Sequence, residues 1–461
     1  MTAPPAADKQ RLKDAGAKYA KTNVEKSFAD SNIQDKSGEF PKFTKSELSL
    51  GKVLGKGGFG TVYEVRAFDA SKTNSSNTDK KLSEGASRTA LQKAASTRGS
   101  FMGRIDDEEV EQNQMESRKF IAGHCLRKSG EARYAAKFLS LEVINDPASF
   151  IQGVTDMAVE TRVLSDTDHP NIVRMRAIAE AAPYDESYYI VMDRLFDILE
   201  TRIEKWDKLS KKCSGMKGKI FDRKGEKLKD LNTDRMVAAF DLSSAVEYLH
   251  GRKIVYRDIK PENIGFDIRD DIKLFDFGLA TELKDSKKAS KEGLYKLTEM
   301  TGSPIYMAPE VANGEDYNEK CDSYSFAILL WQMMEMDAPY KLYTMRSLRT
   351  KVWNGPAKRP MVGETWPVPI KTLLRRSWSK EIGERPSFSQ ISKILRAECV
   401  RIRDGNEDGL EHARRRSTFV FRGARGQLTS TKTAKQRPSA AAAAATSMAA
   451  MIEEEEEEVK Q

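Results

Sequence analysis

The run from Tyr256 to Gly278, YRDIKPENIGFDIRDDIKLFDFG, constrains this chain more than any other stretch. It sets a D-x-K-P-E-N segment close to a D-F-G turn, with a short hairpin-like run between them. Asp258, Asn263 and Asp276 offer acceptors for metal and proton chemistry, and Lys260 adds a cation beside them. Phosphoryl transfer needs such a set: a carboxylate to take or orient a hydroxyl proton, and oxygens to hold Mg²⁺ on the phosphates. D-F-G alone arises by chance in many chains. The composite at this spacing is far more specific.

A second stretch narrows the fold. Leu48 and Leu50 alternate with polar neighbours, and Val62 to Phe68 reads as a second strand. Between them, Gly55-Lys56-Gly57-Gly58-Phe59-Gly60-Thr61-Val62 matches G-x-G-x-x-G-x-V. Without a Cβ, glycines let backbone N–H groups approach phosphate. The dinucleotide fingerprint shares these glycines but continues into a helix. Nothing after Gly60 reads as a helix start, so a hairpin over phosphates fits and the strand–turn–helix does not. Further along, Ala132 to Leu139, Ile172 to Ala179 and Tyr188 to Met192 read as strands, and Thr155 to Asp166 as a helix. Thr233 to His250 reads as an amphipathic helix, capped by Asn232 or Thr233 and ended by Gly251.

These motifs, in this order, resemble those of the protein kinase family over about residues 44–398. The resemblance implies an α+β, bilobal fold. A small β-rich N-lobe (44–192) carries one regulatory helix and leads into a larger α-helical C-lobe (193–398). It also implies ATP and Mg²⁺ as cofactors. Leu54, Gly55, Lys56, Gly57, Gly58, Phe59, Gly60 and Val62 then belong to a loop over the nucleotide. Y-A-A-K stands where the family has V-A-I-K, so Lys137 holds the α/β-phosphates and Ala135 packs on the adenine. Glu160 pairs with Lys137 and gates activity. Met192 guards the back pocket at the hinge, with Asp193 and Leu195 after it. Asp258 orients the acceptor hydroxyl and takes its proton, Lys260 offsets charge on the transferring group, and Asn263 and Asp276 hold Mg²⁺.

The T-G-S-P-I-Y-M-A-P-E run at 301–310 resembles the end of an activation segment. Ser303 with Lys260 is the Ser/Thr-kinase pattern. Because Arg257 precedes Asp258, the family reading expects a phosphate or an acid on that segment, with Thr298 and Thr301 as candidate phosphosites and Glu299 as a built-in acid. Glu310 and Arg385 match a structural ion pair. The closing R-P, W and R-P-S-F series resembles the tyrosine-kinase-like branch. Two residues depart from the family. Tyr256 replaces a His and can still pack on Phe277. Gly265 replaces a branched apolar residue beneath the adenine, leaving Ile264 or Phe266 to compensate.

Outside the motifs, composition sets expectations. Residues 1–43 are polar; a helix between about Lys9 and Ser27 is an alternative, but its apolar face is thin and the segment reads as a disordered tail. Residues 69–130 read as a long surface insertion, and 205–230 as a basic loop in which Gly215, Gly218 and Gly225 favour irregular backbone. Residues 399–461, with Arg414 to Arg416, an alanine tract and Glu453 to Glu458, read as a low-complexity tail. The formal net charge is +8, but the basic residues lack aromatic interleaving, so no nucleic-acid partner is expected. Four scattered cysteines suit a reducing compartment, and no apolar run is long enough to span a bilayer. The expected protein is soluble, intracellular and cytoplasmic, with protein substrates bearing Ser/Thr acceptors. A pseudokinase scaffold, motivated by Gly265 and the insertions, is the rival reading. The joint presence of Lys137, Glu160, Asp258, Asn263 and Asp276 argues against it.

Overall fold

The computed structural model describes residues 6–69, 107–215, 218–222 and 224–402. The chain divides into two compact units, one formed by Met1–Phe196, Arg252–Arg257 and Lys273–Tyr295, the other by Asp197–Gly251, Asp258–Ile272 and Lys296–Gln461. The motif run that begins at Tyr256 is therefore shared between them.

The first unit opens with helix α1 (Ala6–Phe28), then β1 (Lys42–Phe43), β2 (Leu48–Lys56) and β3 (Gly60–Phe68). After α2 (Asp107–Gly123) come β4 (Tyr134–Leu139), helix α3 (Pro147–Ser165), β5 (Met175–Ala179) and β6 (Tyr189–Asp193). The strands form one sheet in the order β1-β5-β6-β4-β3-β2. Alternation fixes which residues share a face: Val62 pairs with Lys137, Lys137 with Ile190, and Ala135 with Met192. Directly paired residues point the same way, so Val62, Ala135, Lys137 and Met192 stand on one face. Asp146 caps α3 by accepting the Ser149 N–H at 2.9 Å, and Pro147 fills its first turn.

Helix α1 corrects the expectation of a disordered tail. Gly16, Ala20, Val24 and Phe28 recur every four residues, and the last three are buried. The stripe is narrow because it packs chiefly on one helix, α3. A Cβ on Gly16 would stand 2.7 Å from the Ile151 side chain, so the missing side chain lets the two helices approach. The expected insertion at 69–130 likewise contains a helix, α2, followed by turns from 124 to 130. Arg118 of α2 pairs with buried Glu47 at 2.6 Å and stacks over Phe43 at 4.4 Å. The remainder of that insertion, 70–106, lies outside the described residues.

The second unit begins with β7 (Asp197–Ile198) and helix α4 (Leu199–Ser214), then a short helix α5 (Gly218–Phe221) and the long α6 (Glu226–Gly251). Strand β8 (Ile264–Phe266) pairs antiparallel with β7. Helices α7 (Pro309–Asn313), α8 (Lys320–Glu335), α9 (Val368–Ser377) and α10 (Phe388–Ile402) complete it. The basic loop expected over 205–230 is a correction too. Leu199, Arg202, Ile203 and Trp206 form the buried i, i+3, i+4, i+7 stripe of α4, and Lys205, Lys208, Lys211 and Lys212 lie off that stripe. The glycines mark helix boundaries: Gly215 ends α4, Gly218 starts α5, and Gly225 takes φ +69° before α6. Asn232 and Thr233 do not cap α6. Asp222 accepts the N–H groups of Lys227 and Leu228, each at 3.0 Å, while the Thr233 hydroxyl donates back to the Lys229 carbonyl.

Helix α8 is buried along nearly its whole length, and Phe326 meets Phe388 of α10 edge to face, ring centres 5.3 Å apart. Arg385 and Glu310 make a bidentate pair at 2.6 and 2.8 Å, both almost fully buried. Among the described residues, no helix is long and apolar enough to cross a membrane.

Candidate active site

In the first unit the glycine run closes a hairpin. The Gly57 N–H donates to the Gly60 carbonyl at 2.8 Å, and Ser140 N–H to the Phe59 carbonyl at 3.1 Å. A Cβ on Gly60 would meet the Phe138 carbonyl oxygen at 2.9 Å, so glycine is what lets β3 and β4 pack here. Gly55 to Gly58 are exposed.

Lys137 on β4 draws in two carboxylates. Its Nζ lies 2.6 Å from Glu160 Oε2 on α3 and 2.9 Å from Asp276 Oδ1. Burial alone would push the Lys137 ammonium down, but Asp276 and Glu160 outweigh it and hold the charge well above the ordinary lysine range. Asp276 adopts φ +65°, and its side chain keeps 42% of its exposure. Such left-handed conformations in residues other than glycine cost on the order of 1 kcal/mol and cluster at functional sites. A part-exposed carboxylate at this position suits a hard cation that retains waters and phosphate ligands. Tyr256 does more than pack. Its ring meets Phe277 edge to face at 5.2 Å, and its hydroxyl donates to the Phe275 carbonyl at 2.5 Å, which ties down the D-F-G turn.

In the second unit Asp258 is the hub. Its Oδ1 accepts the Ser303 N–H at 3.0 Å and the Ser303 hydroxyl at 2.9 Å. Its Oδ2 accepts Asn263 Nδ2 at 2.8 Å and lies 2.7 Å from Lys260 Nζ. Lys260 also donates to Ser303 Oγ at 2.9 Å. The Asn263 amide nitrogen is engaged twice by Asp258, once through its carbonyl at 3.1 Å, which leaves the amide oxygen as a hard ligand.

A family model described as protein kinase domain matches residues 122–395. The chain belongs to the protein kinase family. Among its relatives, a probable serine/threonine-protein kinase of Dictyostelium discoideum is 30% identical over 247 residues, covering 53% of this chain and 23% of that protein. The dual specificity protein kinase shkB of the same organism is 35% identical over 168 residues, covering 36% of this chain and 25% of that protein. Mitogen-activated protein kinase kinase kinase 7 of Bos taurus is 25% identical over 351 residues, covering 72% and 53%. This chain thus spans about a quarter of the first two. The matched region starts after the glycine hairpin, yet β2 and β3 belong to the same sheet as β4.

The kinase fold distributes the other expected residues in several ways. Met192 is buried beside Ala135, while the Asp193 carboxylate is held by Arg176 at 2.7 and 2.8 Å. Thr298 and Thr301 are neighbours, hydroxyl to hydroxyl at 3.2 Å, with Thr298 exposed. Arg257 takes φ +69° and donates to the Leu279 carbonyl at 2.7 Å. Gly265 lies opposite Ile198 in the β7–β8 pair, and the Arg202 guanidinium covers the Phe266 ring at 4.0 Å. Phe266 is thereby engaged within its own unit.

Two features of this kinase escaped the sequence. Asp156, one turn before Glu160 on α3, lies against Gly278 and accepts from Gln152; burial is the main cause that pushes its carboxyl up to about 7. Buried Glu64 stands on the Lys137 face of the sheet, bonded to Arg194 at 2.5 Å and Arg66 at 2.8 Å. Neither belongs to a motif. Only knowledge of the register and of the α3 packing could have found them.

Proposed function

We propose that this chain is a protein serine/threonine kinase that transfers the γ-phosphoryl group of Mg-ATP to Ser and Thr hydroxyls of protein substrates. One observation carries the reading. Asp258 accepts a hydrogen bond from an alcohol, that of Ser303, while Lys260 contacts the same oxygen. The Ser303 hydroxyl stands in chemically for an acceptor hydroxyl: a carboxylate to take its proton and an ammonium to offset the charge that develops.

In this reading Lys137 binds the α/β-phosphates, and Glu160 and Asp276 keep its ammonium charged and aimed. Leu54 to Gly60 with Val62 cover the phosphates. Ala135, Met192, Asp193 and Leu195 receive the adenine. Asn263 and Asp276 each supply an oxygen to Mg²⁺. When bound, the ion neutralises charge on the phosphates. Thr298 and Thr301 are the phosphosites of the activation segment. The domain runs from 44 to 398, and the protein works in soluble form inside the cell, a setting that suits its reduced thiols.

An arrayed library of Ser, Thr and Tyr peptides with labelled Mg-ATP tests the proposal. Wild type labels Ser and Thr peptides, while Lys137→Met and Asp258→Asn do not. Equal labelling by all three proteins overturns the enzyme reading, and labelling mainly of Tyr peptides overturns the Ser/Thr reading.

A further inference from the structure

The segment just after α1 touches two elements that matter to Lys137. On one side it binds the C-terminal end of α3. The Gln34 N–H donates to Asp166 Oδ2 at 3.1 Å, Lys36 Nζ pairs with Asp166 at 2.7 Å, and the Lys36 N–H donates to Ser165 Oγ at 3.3 Å. Arg162 of α3 stacks over Phe28 at 4.6 Å and donates to the Ile33 carbonyl at 3.3 Å.

On the other side it binds Glu282, a buried carboxylate just past the D-F-G turn. Ser31 Oγ donates to Oε2 at 2.5 Å, and the backbone N–H and side-chain amide of Asn32 donate to Oε1 at 2.9 and 2.8 Å. Glu282 sits in the two-residue strand Thr281–Glu282, which pairs with Ile254–Val255. A buried carboxylate keeps its place only where donors surround it.

Arg252, beside the strand that pairs with Glu282, also binds Asp166, and residues 31–36 add a second tie, so Glu160 and Asp276, the two carboxylates on Lys137, hang from elements whose far ends are both held by that short piece of chain. We infer that residues 31–36, anchored by α1, clamp α3 to the start of the activation segment and so set the spacing of Glu160 and Asp276 around Lys137. Ser31 and Asn32 are positioning residues that act through Glu282. The clamp rests on the kinase reading only where it concerns catalysis; its mechanical part stands independently.

The test uses the full chain carrying Ser31→Ala with Asn32→Ala. Displacing catalytic groups by about an ångström lowers rates by roughly ten- to a hundredfold, so kcat falls by that factor. Amide hydrogen exchange rises at 157–165 and 274–283 but not in β4 or β6. Ser31→Thr, which retains the hydroxyl donor, keeps wild-type kcat, as does Leu12→Asp on the exposed side of α1. If the double variant fails to fold, Asn32→Ala alone is read by the same two measurements. Unchanged kcat and exchange overturn the clamp, and so does exchange that rises uniformly over the whole unit. If wild type transfers no phosphate at all, the kinase reading fails, while the exchange pattern still decides for or against the clamp.

Discussion

Asp258 and Lys137 are held in opposite ways. Asp258 meets Asn263 only five positions along the chain, and Lys260 closer still. Lys137 gathers Glu160 from 23 positions away and Asp276 from 139. Apart from Ser303, 45 positions on, the first setting is written into one loop. The second exists only if β4, α3 and the D-F-G turn are each in place. In the proposed reading the chemistry falls to the Asp258 set, and the sensitivity to packing to the long-range Lys137 set.

The comparison can be broken at several points. The largest expected effect is that of Lys137→Met, which removes the cation both carboxylates face and lowers kcat/KM by about a thousandfold or more, roughly 4 kcal/mol of transition-state stabilisation. Steady-state rates across an ATP series check it. Arg385→Ala leaves Glu310 buried without its partner, and urea unfolding should show a loss of about 3–5 kcal/mol. The fraction that stays folded keeps its kcat, which separates this pair from the catalytic ones. Glu160→Gln preserves shape but weakens the hold on Lys137. It should lower kcat about tenfold, near 1.4 kcal/mol, and raise the KM for ATP less.

The smallest effect on the rate belongs to Asp156, whose readout is stability. Its folded carboxyl titrates at about 7, above the value of 3.8 it has when exposed. The folded state therefore binds the proton more tightly, and stability declines as pH rises from about 4 to about 7. Asp156→Asn removes that decline. Thermal melting should show no gain near pH 4 and a gain that grows with pH until it levels off above about pH 7. A gain that is the same at both pH values would show that Asp156 is not buried in its neutral form.

Legibility in the sequence divides along the same line. Asp258, Lys260, Asn263 and Ser303 carry their chemistry in short motifs, and the glycine hairpin declares itself by standing between two strands. The helix over about Lys9 to Ser27 was set aside in favour of disorder because a four-residue stripe of Gly16, Ala20, Val24 and Phe28 looks too thin for a core, although it is wide enough to pack on a partner helix. The helices α4 and α5 were obscured because their buried stripe ends at Trp206 and lysines dominate the residues after it. The ties from Ser31 and Asn32 to Glu282 join residues some 250 positions apart, a relation that no local pattern encodes.

The most direct test of the division between the two settings is the single-turnover rate of Asp258→Asn at saturating Mg-ATP, with nucleotide affinity measured on the same preparation. Loss of general-base and orienting action lowers transfer by about a hundred- to ten-thousandfold, and in the proposed reading Asp258 takes no part in binding the nucleotide phosphates. The expected result is wild-type affinity for ATP with transfer reduced by that factor. Transfer at the wild-type rate would contradict the role given to Asp258.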